Sequence, residues 1–145
     1  MKQEMKLEFD SIPSNEAFAR VVVAAFLTRL NPTMEEVADI KTAISEAVTN
    51  AIIHGYQNEI HKIIIEAAVE GDTLEVSVED YGIGIADVKK AMEPMYTTRK
   101  DLERSGMGFV FMEAFMDSIH VTSQVGEGTK VTMKKKIGRR YEKQD

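Results

Sequence analysis

The chain has no cysteine and no tryptophan, only three prolines and three histidines, and aromatic residues fill just 7% of its 145 positions. Without cysteine there is no disulfide and no thiolate metal site, which fits a reducing compartment, so a cytoplasmic location is expected. No stretch approaches the ~20 apolar residues that a membrane-spanning helix needs. The opening MKQEMKLEFD is charged and carries no apolar run, which reads against a secretory leader, and no membrane association is expected. Positive charge is also in deficit: the net charge is −6, which weighs against nucleic acid as a direct partner. No Gly-Lys-Ser or Gly-Lys-Thr occurs, so the P-loop class of nucleotide site is excluded. No repeat and no low-complexity linker breaks the chain. Its 43% hydrophobic and 29% charged content is that of an ordinary globular protein, and residues 1–145 read as one domain with a substantial core.

Alternation of Met5, Leu7 and Phe9 with charged neighbours predicts a first strand, whose polar Lys6 and Glu8 suit a sheet edge. Ser11-Ile-Pro-Ser14 reads as a turn with Ser14 as helix cap. A first helix follows to about Leu30, with Phe18, Val21, Val22, Ala25 and Phe26 as its apolar face, and Asn31-Pro32 stops it. Thr33 and Glu36 have the spacing of a capping box for a second helix ending near His54. Lys62–Val69 and Thr73–Asp80 read as a hairpin around Gly71. A short helix is expected over 86–92, a polar loop over 93–105 and an apolar helix over 108–116. A last hairpin, 120–125 and 129–137, turns at Gly126-Glu-Gly128. The basic run from Lys134, with Arg139, Arg140 and Lys143, reads as a solvated strand end and a frayed tail over about 138–145. Helices in sequential groups beside a mixed, mainly antiparallel sheet imply a two-layer α/β sandwich, helices on one face.

The stretch that organises the chain is IKTAISEAVTNAIIHGY, residues 40–56. Ile40, Ile44, Val48 and Ile52 make one apolar stripe, while Glu46, Asn50 and His54 form a polar row on another face. Gly55 is placed to end the helix in a left-handed conformation. Three glycine-bearing stretches follow: Asp80-Tyr-Gly-Ile-Gly84, Ser105-Gly-Met-Gly108 and Gly126-Glu-Gly-Thr129. The Asn50 amide oxygen is a hard ligand suited to magnesium, which needs few protein ligands when phosphates supply the rest. A carboxylate one turn away, at Glu46, can accept a proton from an incoming hydroxyl; an exposed i,i+4 pair is the plainer alternative. His54 reads better as a packing or capping residue. Asp80 falls in the apolar phase of its strand, where a carboxylate is costly without a partner, although Asp-Tyr-Gly also suits a turn. Gly106, Met107 and Gly108 open a helix, a natural seat for phosphate.

In order and spacing these four stretches resemble the GHKL, or Bergerat, ATP-binding superfamily, over nearly the whole chain. Glu46 to Asn50 match its N box, and Asp80, Gly82 and Gly84 its first glycine box. Gly106 and Gly108 match the second. The short chain is most similar to the bacterial anti-sigma-factor serine kinases, above all those of sporulation; the general-stress members share the motifs. The resemblance implies ATP or ADP as ligand with Mg2+ on Asn50, Glu46 as catalytic base and Asp80 on the adenine amino group. It further implies that Gly82 and Gly84 lie close to the base and that Thr129 joins the same network through water. Residues 93–105 would be a lid whose Thr97, Thr98, Arg104 and Ser105 approach the phosphates. The partners implied are an RNA polymerase sigma factor, an anti-anti-sigma protein phosphorylated on serine, and a second copy of the chain. Glu16 and Arg20 on the first helix are the candidate partner surface. A histidine-kinase catalytic domain or a non-catalytic nucleotide-gated module are the alternatives; the chain shows no helical hairpin carrying a phosphoacceptor histidine.

Overall fold

The computed structural model describes residues 1–93 and 108–138. Strand β1 (Lys2–Asp10) leads into helix α1 (Ser14–Leu27), a single 3-10 turn (Thr28–Leu30) and helix α2 (Met34–Asn50), which runs on as a π-helical turn (Ala51–Gly55). Strands β2 (Lys62–Glu70) and β3 (Thr73–Asp80) follow, then a short helix α3 (Val88–Ala91), helix α4 (Gly108–Phe115) and strands β4 (Ser118–Gln124) and β5 (Gly128–Lys136). The five strands form one sheet in the order β1-β2-β3-β5-β4, and all four pairings are antiparallel, so among the described residues the expected mixed, mainly antiparallel sheet contains no parallel pair. Two of these pairings are local, since β2–β3 and β4–β5 are hairpins, while β1–β2 and β3–β5 join strands distant in sequence. As its polar pattern implied, β1 lies at an edge.

One face of the sheet is apolar. Phe9, Ile63, Ile65, Leu74, Val76, Val78, Val131 and Met133 are buried on it, and α2 lies against them with Ile40, Ile44, Val48 and Ile52, all nearly inaccessible. Helices α1 and α4 flank α2. Burying such side chains contributes roughly 1.5–3 kcal/mol each, so α2 is the mechanical centre of the helical layer. Its start is fixed by the predicted capping box: Glu36 N–H donates to Thr33 Oγ1 at 3.0 Å and Thr33 N–H to Glu36 Oε1 at 2.8 Å. The other Glu36 oxygen accepts from Gly138 N–H at 3.0 Å, tying the helix start to the end of β5.

Several local expectations are corrected. Ser14 is not a cap: Pro13 precedes the first turn without a side-chain hydrogen bond, and Asn15 instead donates to the Asp10 carbonyl at 2.8 Å. The buried face of α1 is Ala19, Val23, Phe26 and Leu27, while Phe18 and Val21 are 50% and 59% exposed. The sequence offers two overlapping apolar stripes there, and only contact with α2 chooses between them. Gly55 does not take a left-handed conformation; Gln57 (φ 52°) and Asn58 (φ 69°) do. The short helix covers only Val88–Ala91, capped by Asp87, whose Oδ1 accepts from Lys90 N–H at 3.0 Å. Strand β4 begins at Ser118. The basic strand end is solvated as expected, its exposed Lys134 pairing with Glu75 at 3.4 Å and Lys136 with Asp72 at 3.8 Å.

Candidate functional site

Between α2, α4 and the end of the sheet lies a cavity of about 390 Å³. Its walls are largely apolar, with Ala47, Val78, Ile83, Ile85, Phe109 and Val131 among them. Its polar groups are few: Asn50 and His54 from the α2 row, Asp80 from β3, Thr129 from β5, and Asp87 and Glu93 near α3. An apolar pocket with a few convergent polar groups is the usual form of a small-molecule site.

Asp80 stands at the end of β3 because period-2 alternation continues the phase of Leu74, Val76 and Val78; it is only 6% exposed. Burial pushes its carboxyl up to about 6, and the charge of nearby Glu79 adds to the rise. The backbone N–H groups of Gly82, at 2.9 Å, and Thr129 oppose the rise by donating to the carboxylate. Two donors leave lone pairs free on a group with about four acceptor positions, so Asp80 can take a further donor from a ligand.

The glycines around Asp80 are dictated by contact. A β-carbon on Gly82 would lie 2.0 Å from the Gly55 carbonyl oxygen, and one on Gly128 would lie 2.1 Å from that of Asp80. Gly84 combines both reasons, with φ at +77° and the Gln124 carbonyl oxygen 2.2 Å from any β-carbon. The turn is stitched on both sides, since Ile83 N–H donates to Gly55 O at 2.9 Å and Gly126 N–H to Ile83 O at 2.7 Å. Gly108 opens α4 where a β-carbon would sit 3.0 Å from the Asn50 amide nitrogen, so the glycine brings the helix start onto Asn50.

Of the residues singled out in the sequence, Asn50, Asp80, Gly84, Gly108 and Thr129 line this one cavity, and Gly82 shapes the turn beneath it. Glu46 is partly buried one turn before Asn50 and outside the lining. His54, read as a packing or capping residue, is among the residues lining the cavity. Thr97, Thr98, Arg104, Ser105, Gly106, Met107 and nearly all of the expected lid lie outside the described residues. Glu16 and Arg20 are elsewhere, on α1: one Glu16 oxygen accepts from Ser45 of α2 and the other pairs with Arg20 Nε at 3.4 Å. Two supporting residues gave no sequence signal. Buried Tyr56 donates its hydroxyl to the Lys62 carbonyl and accepts from Tyr81 N–H at 2.8 Å, beside Asp80. Ser123 gathers three contacts behind Thr129.

Residues 9–135 match the family model described as histidine kinase-like ATPase domain. The chain is 54% identical over 140 residues to the anti-sigma F factor of Oceanobacillus iheyensis, covering 96% of each chain. It is 56% identical over 137 residues to that of Clostridium acetobutylicum, covering 94% of this chain and 96% of the relative. The protein is a histidine kinase-like ATPase of the anti-sigma F factor family. Among solved structures, one of the RsbU and RsbW domains of a Mycobacterium tuberculosis protein superposes with a TM-score of 0.67 at 23% identity. That match covers 93% of this chain and 32% of the other, and it shows the shared fold. Membership makes this anti-sigma F family chain a nucleotide-binding, kinase-type ATPase. Among its described residues no helix is long and apolar enough to cross a membrane.

Proposed function

We propose that the chain is a cytoplasmic anti-sigma factor and protein serine kinase. In this reading it holds a sporulation sigma factor of RNA polymerase and inactivates an anti-anti-sigma antagonist by phosphorylating it on serine. The observation that carries the reading is the buried Asp80 carboxylate at the end of an apolar cavity, with acceptor capacity to spare. An amino group on a flat apolar base is the complement of that site: its N–H satisfies Asp80, and its ring faces Val78, Ile83 and Val131. Gly82 and Gly84 let the turn after Asp80 pack directly on the Gly55 and Gln124 carbonyls, and Thr129 supplies a hydroxyl beside Asp80 in the strand register.

At the other end, the residues present suit a metal–phosphate group. Gly108 leaves the Asn50 amide clear at the start of α4, where backbone N–H groups favour anions. Among the described residues no cluster of three or more acidic or histidine side chains gathers, so Asn50 would hold magnesium together with the nucleotide's own oxygens. Magnesium bound there supplies charge neutralisation for the phosphates. Glu46, one turn from Asn50, accepts the proton of the attacking serine hydroxyl. Lid residues Thr97, Thr98, Arg104 and Ser105, with Gly106 and Met107, belong to the phosphate end of the same reading.

Partner contact is assigned to Glu16 and Arg20. Their support is the exposed Phe18 and Val21 on the same helix, an apolar patch beside an ion pair. A homodimer belongs to the reading as well, and strand β1 offers its outer edge for it. The test is incubation of the purified chain with labelled ATP, magnesium and the antagonist protein. Acid-stable label on antagonist serine, with the sigma factor retained on the nucleotide-bound chain, is the expected result. Acid-labile label would turn the reading toward histidine chemistry, and a failure to bind ATP would sink it.

A further inference from the structure

Ser123 belongs to none of the sequence motifs, yet its side-chain oxygen joins three segments behind the cavity. Ile85 N–H donates to it at 2.7 Å, the Gly128 carbonyl oxygen lies 3.0 Å away and the Thr129 hydroxyl 2.8 Å away. A serine hydroxyl has one proton to give and two lone pairs to offer. The amide can only donate and the carbonyl can only accept. All three contacts are therefore made together in one way: Ser123 donates to Gly128 and accepts from Ile85 and Thr129. Thr129 has then committed its only proton to Ser123, so it turns lone pairs alone toward the cavity.

We propose that Ser123 is a positioning residue for base recognition, holding Thr129 as a pre-ordered hydrogen-bond acceptor beside Asp80. The inference rests on the adenine reading above and names how the second polar contact is made. Adenine gives its amino N–H to Asp80, and the neighbouring ring nitrogen, N1, is itself an acceptor. Two acceptors meet through one water that donates to each, a contact nearly as favourable as a direct bond. Ser123 fixes one end of that bridge. Without it the Thr129 hydroxyl has several rotamers and no set proton direction, and ordering it on binding weakens affinity.

The test compares ADP with 1-deaza-ADP, in which a C–H replaces N1 and the amino group remains. Calorimetric titrations of the full chain are made for the parent, Ser123→Ala and Ser123→Thr. The parent should bind the deaza analogue about tenfold more weakly than ADP. Ser123→Ala should lose about three- to tenfold in ADP affinity while its ADP-to-analogue ratio falls toward one. Ser123→Thr, which keeps the hydroxyl, should recover the parent ratio. A parent that binds no ADP removes the adenine reading itself. A parent that binds ADP and the analogue equally overturns this inference alone. A Ser123→Ala chain that keeps the parent ratio, or that loses both ligands by one factor, overturns it as well. Should Ser123→Ala lose its thermal unfolding transition, Thr129→Val reads the same contact: a ratio near one supports the bridge, and the parent ratio overturns it.

Discussion

Gly55 and Asp80 face each other so closely that a β-carbon at position 55 would lie 2.7 Å from Asp80 Oδ1 and 2.8 Å from Oδ2. The glycine that ends the second helix is therefore there to make room for the buried carboxylate. Gly55→Ala should either displace Asp80 or strain the π-helical turn. Overpacking of this kind costs about 1–3 kcal/mol. ADP affinity should drop at least about tenfold, and the thermal midpoint should fall. Parent-like ADP affinity in Gly55→Ala would show that the Asp80 carboxylate does not have to stay where it is for binding.

In the proposed reading, Asp80 ties nucleotide binding to pH. Burial pushes its carboxyl up to about 6 from an ordinary 3.8, so the native state binds the proton more tightly than the unfolded chain does. The sign follows from linkage: Asp80's contribution to stability is fully present below pH 3.8, is lost as pH rises through the window from 3.8 to about 6, and changes no further above it. Asp80→Asn removes the buried charge and keeps an oxygen for Gly82 N–H. At pH 7.5 it should unfold at a higher temperature than the parent, and the gap should close toward pH 4. The same change should lower adenine nucleotide affinity roughly ten- to a hundredfold. In the parent, affinity should rise as pH passes through about 6. Thermal scans and titrations across that range check both signs.

Asn50→Ala should leave the fold intact, because the residue lies off the Ile40–Ile52 stripe. What it should remove is the increment in nucleotide affinity that magnesium provides. Titrations with and without magnesium measure this, and an unchanged increment would count against Asn50 as the ligand.

Glu46→Gln separates chemistry from binding. Glutamine keeps the size of the side chain but cannot take a proton at neutral pH, and Asp80, Thr129 and the glycine turn are untouched. ADP affinity should barely change while single-turnover transfer to the antagonist slows by ~100- to 10,000-fold. Sigma-factor binding should survive. A transfer rate within about threefold of the parent would reassign Glu46 to a structural role.

Tyr56→Phe deletes a hydroxyl that links the Lys62 carbonyl to Tyr81 N–H in a buried site. Leaving those two groups unpaired should cost about 1–3 kcal/mol of stability. The Tyr81 N–H immediately follows Asp80, so ADP binding should weaken too. Denaturant unfolding with and without ADP checks the pair of effects; loss of stability with unchanged ADP affinity would confine Tyr56 to the scaffold.

The sequence by itself determined the elements and their phase. The four-residue spacing of Ile40, Ile44, Val48 and Ile52, the Thr33–Glu36 capping box and the alternation of β3 up to Asp80 are local regularities, and each was found where its period put it. Motif spacing likewise marked Asn50, Asp80, Gly84, Gly108 and Thr129, which the fold gathers around one cavity. Only the tertiary structure decided the rest, because the remaining choices depend on atoms distant in sequence. Contact with α2 selected the Ala19–Val23–Phe26 face of α1 over Phe18 and Val21. Gly55 owes its identity to a carboxylate 25 positions away, which no helix-ending rule could reveal. Tyr56 and Ser123 carry no motif, and their hydroxyls matter only because folding brings backbone groups from separate turns within one hydrogen bond of them.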